Sequence, residues 1–150
     1  MRIAMIGTGY VGLVSGACFS QFGFDVVCVD KDAGKIAALE RGEIPIFEPG
    51  LDKLVADNRR KGRLQFSTEL PSSVKGADAI FIAVGTPTRR GDGHADLSYV
   101  YAAAAEIAKA ATGNAVVVTK STVPVGTADE IERIFREEFP EKDIAVVSNP

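Results

Sequence analysis

Short runs of consecutive apolar residues alternate along the chain with longer stretches in which apolar residues recur every three or four positions. Arg2–Ile6, Asp25–Val29, Leu64–Phe66, Ala79–Val84, Ala115–Thr119 and Ile144–Val147 read as six strands. The strongest of them, Ile80-Phe81-Ile82-Ala83-Val84 and Ala115-Val116-Val117-Val118, show no polar–apolar alternation. Strands covered on both faces, as in parallel sheets, have that pattern. The segments between them have helical spacing. Val11, Val14, Cys18 and Phe22 fall on one stripe of a first helix, which Gly23 ends. Asp32 is placed to cap a short helix holding Lys35. Val100, Ala104, Ile107, Ala108 and Ala111 mark a later helix with Asp96 as its N-cap, and Ile131, Ile134 and Phe135 mark another that closes before Pro140. Arg41–Gly50, with two prolines and two glycines, must be a connection. Gly85–Asp96 is a twelve-residue loop, long enough to suggest function or mobility. Strands alternating with helices predict a doubly wound α/β fold: a mostly parallel six-stranded sheet with helices on both faces.

A length of 150 residues fits one domain, 1–150, and suffices for a sizeable core. The net charge of −3 argues against a general nucleic-acid binder, since phosphate backbones are held by clustered Lys and Arg. Arg59-Arg60-Lys61 and Arg89-Arg90 are short and read as solvated faces. No apolar run approaches the roughly 18 residues of a membrane span. The chain opens directly on a strand, so no leader is expected. Cys18 and Cys28 lie inside apolar runs and read as buried thiols rather than a disulfide framework, which fits a reducing, cytoplasmic setting.

The first strand runs straight into Gly7-Thr8-Gly9-Tyr10-Val11-Gly12, and an amphipathic segment follows. In that context GxGxxG is a dinucleotide fingerprint, and the fold becomes Rossmann-type. Gly7 would allow the sharp turn, Gly9 the close approach of a pyrophosphate and Gly12 tight packing of helix on sheet. The start of that helix, at Tyr10 and Val11, would offer amide groups and a positive dipole end to the phosphates. Asp30 ends the second strand eighteen residues after Gly12, close to the roughly 20 expected of a ribose-binding carboxylate. A carboxylate there favours NAD over NADP, although Lys31 and Lys35 lie close by. Thr86 follows the fourth strand, and Ser121 and Thr122 follow the fifth. Ligands of open α/β sheets bind outside the carboxyl ends of the strands, so these hydroxyls should face the cofactor crevice.

The runs MRIAMIGTGYVG from Met1, FEPGL from Phe47, VGTPT from Val84, ADLSYV from Ala95, KSTVPVGT from Lys120 and Ser148-Asn149-Pro150 stand in order. In this combination the chain resembles, over its whole length, the N-terminal domain of the UDP-glucose 6-dehydrogenases. GDP-mannose and UDP-N-acetylmannosamine dehydrogenases share parts of the pattern. The resemblance implies a two-step oxidation of the sugar C6 alcohol to a carboxylate, with two NAD reduced and a cysteine-bound intermediate. It places Val11, Asp30, Lys35, Thr86 and Thr122 at NAD-contacting positions, and gives Thr122 an auxiliary catalytic part in positioning a water. It also implies a homo-oligomeric parent protein.

The family's nucleophilic cysteine lies further on, and neither Cys18 nor Cys28 matches its motif. The expectation is therefore a cofactor domain that engages UDP-glucose only together with C-terminal parts not contained in these residues. An NAD-binding module without turnover is the alternative. His94 sits alone in a polar loop, and Glu48 is a helix-start carboxylate with a possible site role. Asp92, His94 and Asp96 do not make a convincing ligand set, so no metal is expected.

Overall fold

The structure, a computed structural model, describes every residue except Arg90 and Asp92. Its elements follow in the order β1 (Arg2–Ile6), α1 (Tyr10–Gln21), β2 (Asp25–Val29), α2 (Ala33–Glu40), α3 (Leu51–Arg60), β3 (Leu64–Ser67), α4 (Leu70–Val74), β4 (Ala79–Ile82), α5 (Ser98–Ala110), β5 (Ala115–Thr119), α6 (Thr127–Glu138) and β6 (Ile144–Ser148). The strands form one parallel sheet in the order β3-β2-β1-β4-β5-β6. Two apolar layers cover it. Leu13, Ala17, Ile36, Leu39, Leu51 and Val55 bring α1, α2 and α3 onto one face. Leu70, Val74, Val100, Ala104, Ile107, Ile131 and Phe135 bring α4, α5 and α6 onto the other. Burying each large side chain of this kind contributes about 1.5–3 kcal/mol.

β1 lies between β2 and β4, and the chain leaves β1 toward one face and β4 toward the other. That reversal opens a crevice at the carboxyl ends of the strands, the place where doubly wound sheets take their ligands. The register Ile6↔Val29 and Ile6↔Ile82 brings the ends of β2 and β4 level with the turn that follows β1.

Four local expectations are corrected. The buried side of α1 is Gly12, Leu13, Gly16, Ala17 and Ser20, while Val11 and Phe22 are exposed. The helix is apolar nearly all round, so large residues alone did not mark its inner face. The glycines do, because they let the helix sit close: a Cβ on Gly16 would lie 2.5 Å from Cys28 Sγ. β4 ends at Ile82 rather than Val84 because its neighbours β1 and β5 end at Ile6 and Thr119; the Ala83 amide, donating to the Ile6 carbonyl at 2.8 Å, makes the last rung. Asp96 stands one residue before the N-cap Leu97, yet its Oδ1 still accepts from the Ser98 amide at 3.0 Å. The one-turn helix α4 has no counterpart in the periodicity, being too short to display it. Asp32 caps α2 as expected, accepting from the Lys35 amide at 3.0 Å.

Candidate functional site

The turn after β1 is shaped by sterics. Gly7 has φ +108°, and a Cβ there would lie 2.4 Å from the Ala83 carbonyl oxygen. Gly12 sits one turn into α1, where a Cβ would fall 2.0 Å from the Gly7 oxygen. Both positions are closed to any side chain. Gly9 differs. It has an ordinary φ of −71°, and a Cβ on it would meet nothing within 4 Å. The protein itself does not require glycine there, and the space above it is open. Among the described residues no side chain caps α1, and its first turn carries no acidic residue. Its start is therefore a bare positive dipole end.

That start borders a cavity of about 830 Å³, lined among others by Gly7, Gly9, Asp30, Lys35, Val84, Gly85 and residues of α5. Asp30 is the most heavily bonded group on its wall. Its Oδ2 accepts from the Thr8 hydroxyl at 2.7 Å, from Lys35 Nζ at 2.9 Å and from the Thr8 amide at 3.0 Å. Its Oδ1 accepts from the Asp32 amide at 3.1 Å. Burial by itself would raise the pKa of this carboxylate. The donors from Thr8, Asp32 and Lys35 outweigh burial and bring it down to about 2. Asp30 is thus ionised, fixed, and left with acceptor capacity on Oδ1.

Across the switch point, the ends of β4 and β5 are tied together by main chain. The amides of Lys120 and Ser121 donate to the Ile82 carbonyl at 2.8 and 3.1 Å. The buried Ser121 hydroxyl donates to the Val84 carbonyl at 2.7 Å. Thr86 Oγ1 reaches the Thr122 carbonyl at 3.3 Å, and the Thr122 side chain is exposed. The loop after β4 folds back as a narrow hairpin, with Arg89 donating to His94 and Asp96 to Pro87 through main chain. Two residues of that loop, Arg90 and Asp92, lie outside the described residues, and with them the Arg89-Arg90 run and the Asp92–His94–Asp96 set.

A family model matches residues 1–150, and its description is the NAD-binding domain of the UDP-glucose/GDP-mannose dehydrogenase family. The chain belongs to this family. Its cofactor is NAD. Over 150 residues the chain is 69% identical to a UDP-glucose 6-dehydrogenase of Rhizobium meliloti, covering all of this chain and 34% of that protein. It is 51% identical to the UDP-glucose 6-dehydrogenase YwqF of Bacillus subtilis, with the same coverage. The chain thus spans about a third of the length of the curated relatives it matches. Among solved structures, a ternary complex of GDP-mannose dehydrogenase from Pseudomonas aeruginosa superimposes with TM-score 0.94 at 36% identity, over 100% of this chain and 36% of the other. A UDP-glucose dehydrogenase from Pyrobaculum islandicum gives TM-score 0.92 at 38% identity, over 99% and 35%.

Within this dehydrogenase domain the residues singled out by sequence divide into three groups. Gly7, Gly9, Asp30 and Lys35 line the one cavity. Tyr10 and Val11 stand exposed at the start of α1, with Gly12 packed beneath them. Thr86, Ser121 and Thr122 gather at the ends of β4 and β5 but do not line that cavity, and the Ser121 hydroxyl, expected to face the crevice, is instead buried on main-chain carbonyls. Cys28 is fully buried and its thiol is pushed up to about 12, as suits an inert core residue.

Three features escaped sequence reasoning. Thr8 is buried and holds Asp30 with both amide and hydroxyl. The pairing of β1 with β2 could have found it, since it sets the residues after Ile6 beside those after Val29. The Tyr10 hydroxyl donates to Glu48, tethering the Arg41–Gly50 connection to the start of α1 and raising the Tyr10 pKa through that bond. Lys31 pairs with Glu106 across the cavity, a contact between residues 75 positions apart that no spacing announces.

Proposed function

We propose that the whole protein is a UDP-glucose 6-dehydrogenase and that this domain holds its oxidant. The observation that carries the reading is 69% identity, along the entire chain, to a protein of that name. NAD supplies the hydride acceptor; the residues described here bind and orient it. Amide groups at the start of α1 receive the pyrophosphate over the open space at Gly9, beside Tyr10 and Val11. Asp30 accepts hydrogen bonds from the adenosine ribose hydroxyls through its free capacity on Oδ1, and Thr8 and Lys35 hold it in place through Oδ2. Thr86 and Thr122 position the nicotinamide end, with the exposed Thr122 hydroxyl orienting a water in the second step. Ser121 serves by fixing the turns that carry them. The sugar is engaged by parts of the enzyme beyond this domain. GDP-mannose and UDP-N-acetylmannosamine are the competing substrates, because relatives acting on them share the fold.

The same reading places the protein in the cytoplasm as a homo-oligomer. Its two cysteines are free, and among the described residues no helix is long and apolar enough to cross a membrane. The test is turnover of the full-length enzyme with NAD and each nucleotide sugar. Two NADH formed per UDP-glucose, with a clear preference over GDP-mannose, is the expected result. Preference for GDP-mannose would overturn the substrate assignment. The 150-residue chain alone should bind NAD without producing NADH.

A further inference from the structure

On the adenosine side, the cavity wall beyond Asp30 is built by one face of α5. Tyr99, Ala102, Ala103 and Glu106 follow i, i+3, i+4, i+7 and all line the cavity. The two alanines leave clearance for something flat, and Leu70 closes the apolar floor from α4. At the rim the polarity changes. Glu106 Oε1 stands 2.5 Å from Lys31 Nζ, so a carboxylate from α5 and an ammonium from the β2–α2 turn meet over the cavity. Lys31 directly follows Asp30 in the chain. A base joined to a ribose on Asp30 therefore extends along the alanine face toward this pair.

We propose that Glu106 and Lys31 read the base of the dinucleotide and select adenine. The inference rests on the NAD site described above and deepens it. The pair presents one acceptor and one donor side by side. Adenine presents the complement along the edge that carries its exocyclic amine and N7: the amine donates to the Glu106 carboxylate, and N7 accepts from the Lys31 ammonium. Hypoxanthine replaces the amine with a carbonyl oxygen, which would face a carboxylate and leave two acceptors opposed. Both side chains are exposed at their outer ends, so the pair can loosen to admit the base without disturbing the core.

The test compares NAD with nicotinamide hypoxanthine dinucleotide by calorimetric titration of the chain and of the Glu106→Gln and Lys31→Met variants, with thermal unfolding as a check on folding. The wild-type chain should bind NAD about tenfold or more tightly than the hypoxanthine analogue, the scale of one hydrogen bond to a charged group. Glu106→Gln, whose amide can donate to the carbonyl oxygen, should narrow that ratio to about threefold or less at unchanged unfolding temperature. Lys31→Met should weaken both ligands, since N7 is common to the two bases; unchanged binding of both would overturn the part given to Lys31. Equal binding of the two dinucleotides by the wild-type chain would overturn the inference, as would an unchanged ratio in Glu106→Gln. Failure of NAD itself to bind would instead bring down the cofactor site on which the inference stands.

Discussion

The two sides of the crevice are built to different degrees. At the end of β2, Asp30 receives four hydrogen bonds from three residues, two of them from the buried Thr8. At the ends of β4 and β5 the main chain is equally well tied, but Thr86 makes one 3.3 Å contact and Thr122 stands exposed. The covering of the sheet follows the same division. The faces of β1 and β2 are buried on both sides, whereas Val116 of β5 is 39% exposed and Val147 of β6 is 46% exposed on the face opposite α5 and α6. A parallel sheet is ordinarily covered on both faces. The Asp30 side is organised within these residues, and the side at the ends of β4 and β5, where we propose the nicotinamide lies, is bonded through main chain more than through its threonine hydroxyls.

That contrast can be broken by substitution. The largest effect should come from Gly12→Ala, because a methyl group 2.0 Å from the Gly7 oxygen forces α1 off the turn on which both sides depend. A loss of roughly 2–4 kcal/mol in urea unfolding is expected; a loss below about 0.5 kcal/mol would mean the turn yields freely. Next comes Asp30→Ala, which should weaken NAD binding by about 1.5–3 kcal/mol, the range for hydrogen bonds to a charged group. An unchanged Kd would place the ribose elsewhere. Ser121→Ala removes a buried donor to the Val84 carbonyl and should cost about 1 kcal/mol of stability.

The pH dependence sharpens the comparison from the adenosine side. Asp30 is held below its ordinary value of 3.8, at about 2, so its contribution is present above the ordinary carboxylate range and is lost as pH falls from about 4 through 2. Solvent reaching the carboxylate screens the term, leaving about 1 kcal/mol. Asp30→Asn should flatten that part of the stability profile, and an identical acid limb in both proteins would deny Asp30 the role. The smallest effect is expected from Thr86→Val: under about 0.5 kcal/mol of stability, since its one contact is long and half-exposed.

Much of the fold was legible because strands and glycines write their own rules. The unalternating runs at Ile80 and Val116 announced a parallel sheet, although β5 is covered on one face only and leaves Val116 exposed on the other, and Gly7 and Gly12 stand where no other residue fits. α1 was misread on its inner face because a helix apolar all round carries no periodic signal, and glycine contributes to contact by being small. The geometry of the candidate site was legible where a residue stands at a strand end, as Asp30 does. It was not legible where the geometry arises from a meeting of distant residues: Thr8 with Asp30, Tyr10 with Glu48, and Lys31 with Glu106 are set by the register of β1 on β2, the path of the Arg41–Gly50 connection and the placement of α5. Those are properties of the assembled sheet.

The central claim is that the Asp30 side of the crevice is a finished NAD site within these residues. Titrating the wild-type chain with NAD and with NADP tests it most directly. Asp30 is ionised, and Lys35, the lysine bonded to it, is engaged by that carboxylate. A 2′-phosphate therefore meets a committed negative charge, and NAD should bind at least about tenfold more tightly, roughly 1.4 kcal/mol. Equal or tighter binding of NADP would contradict the account.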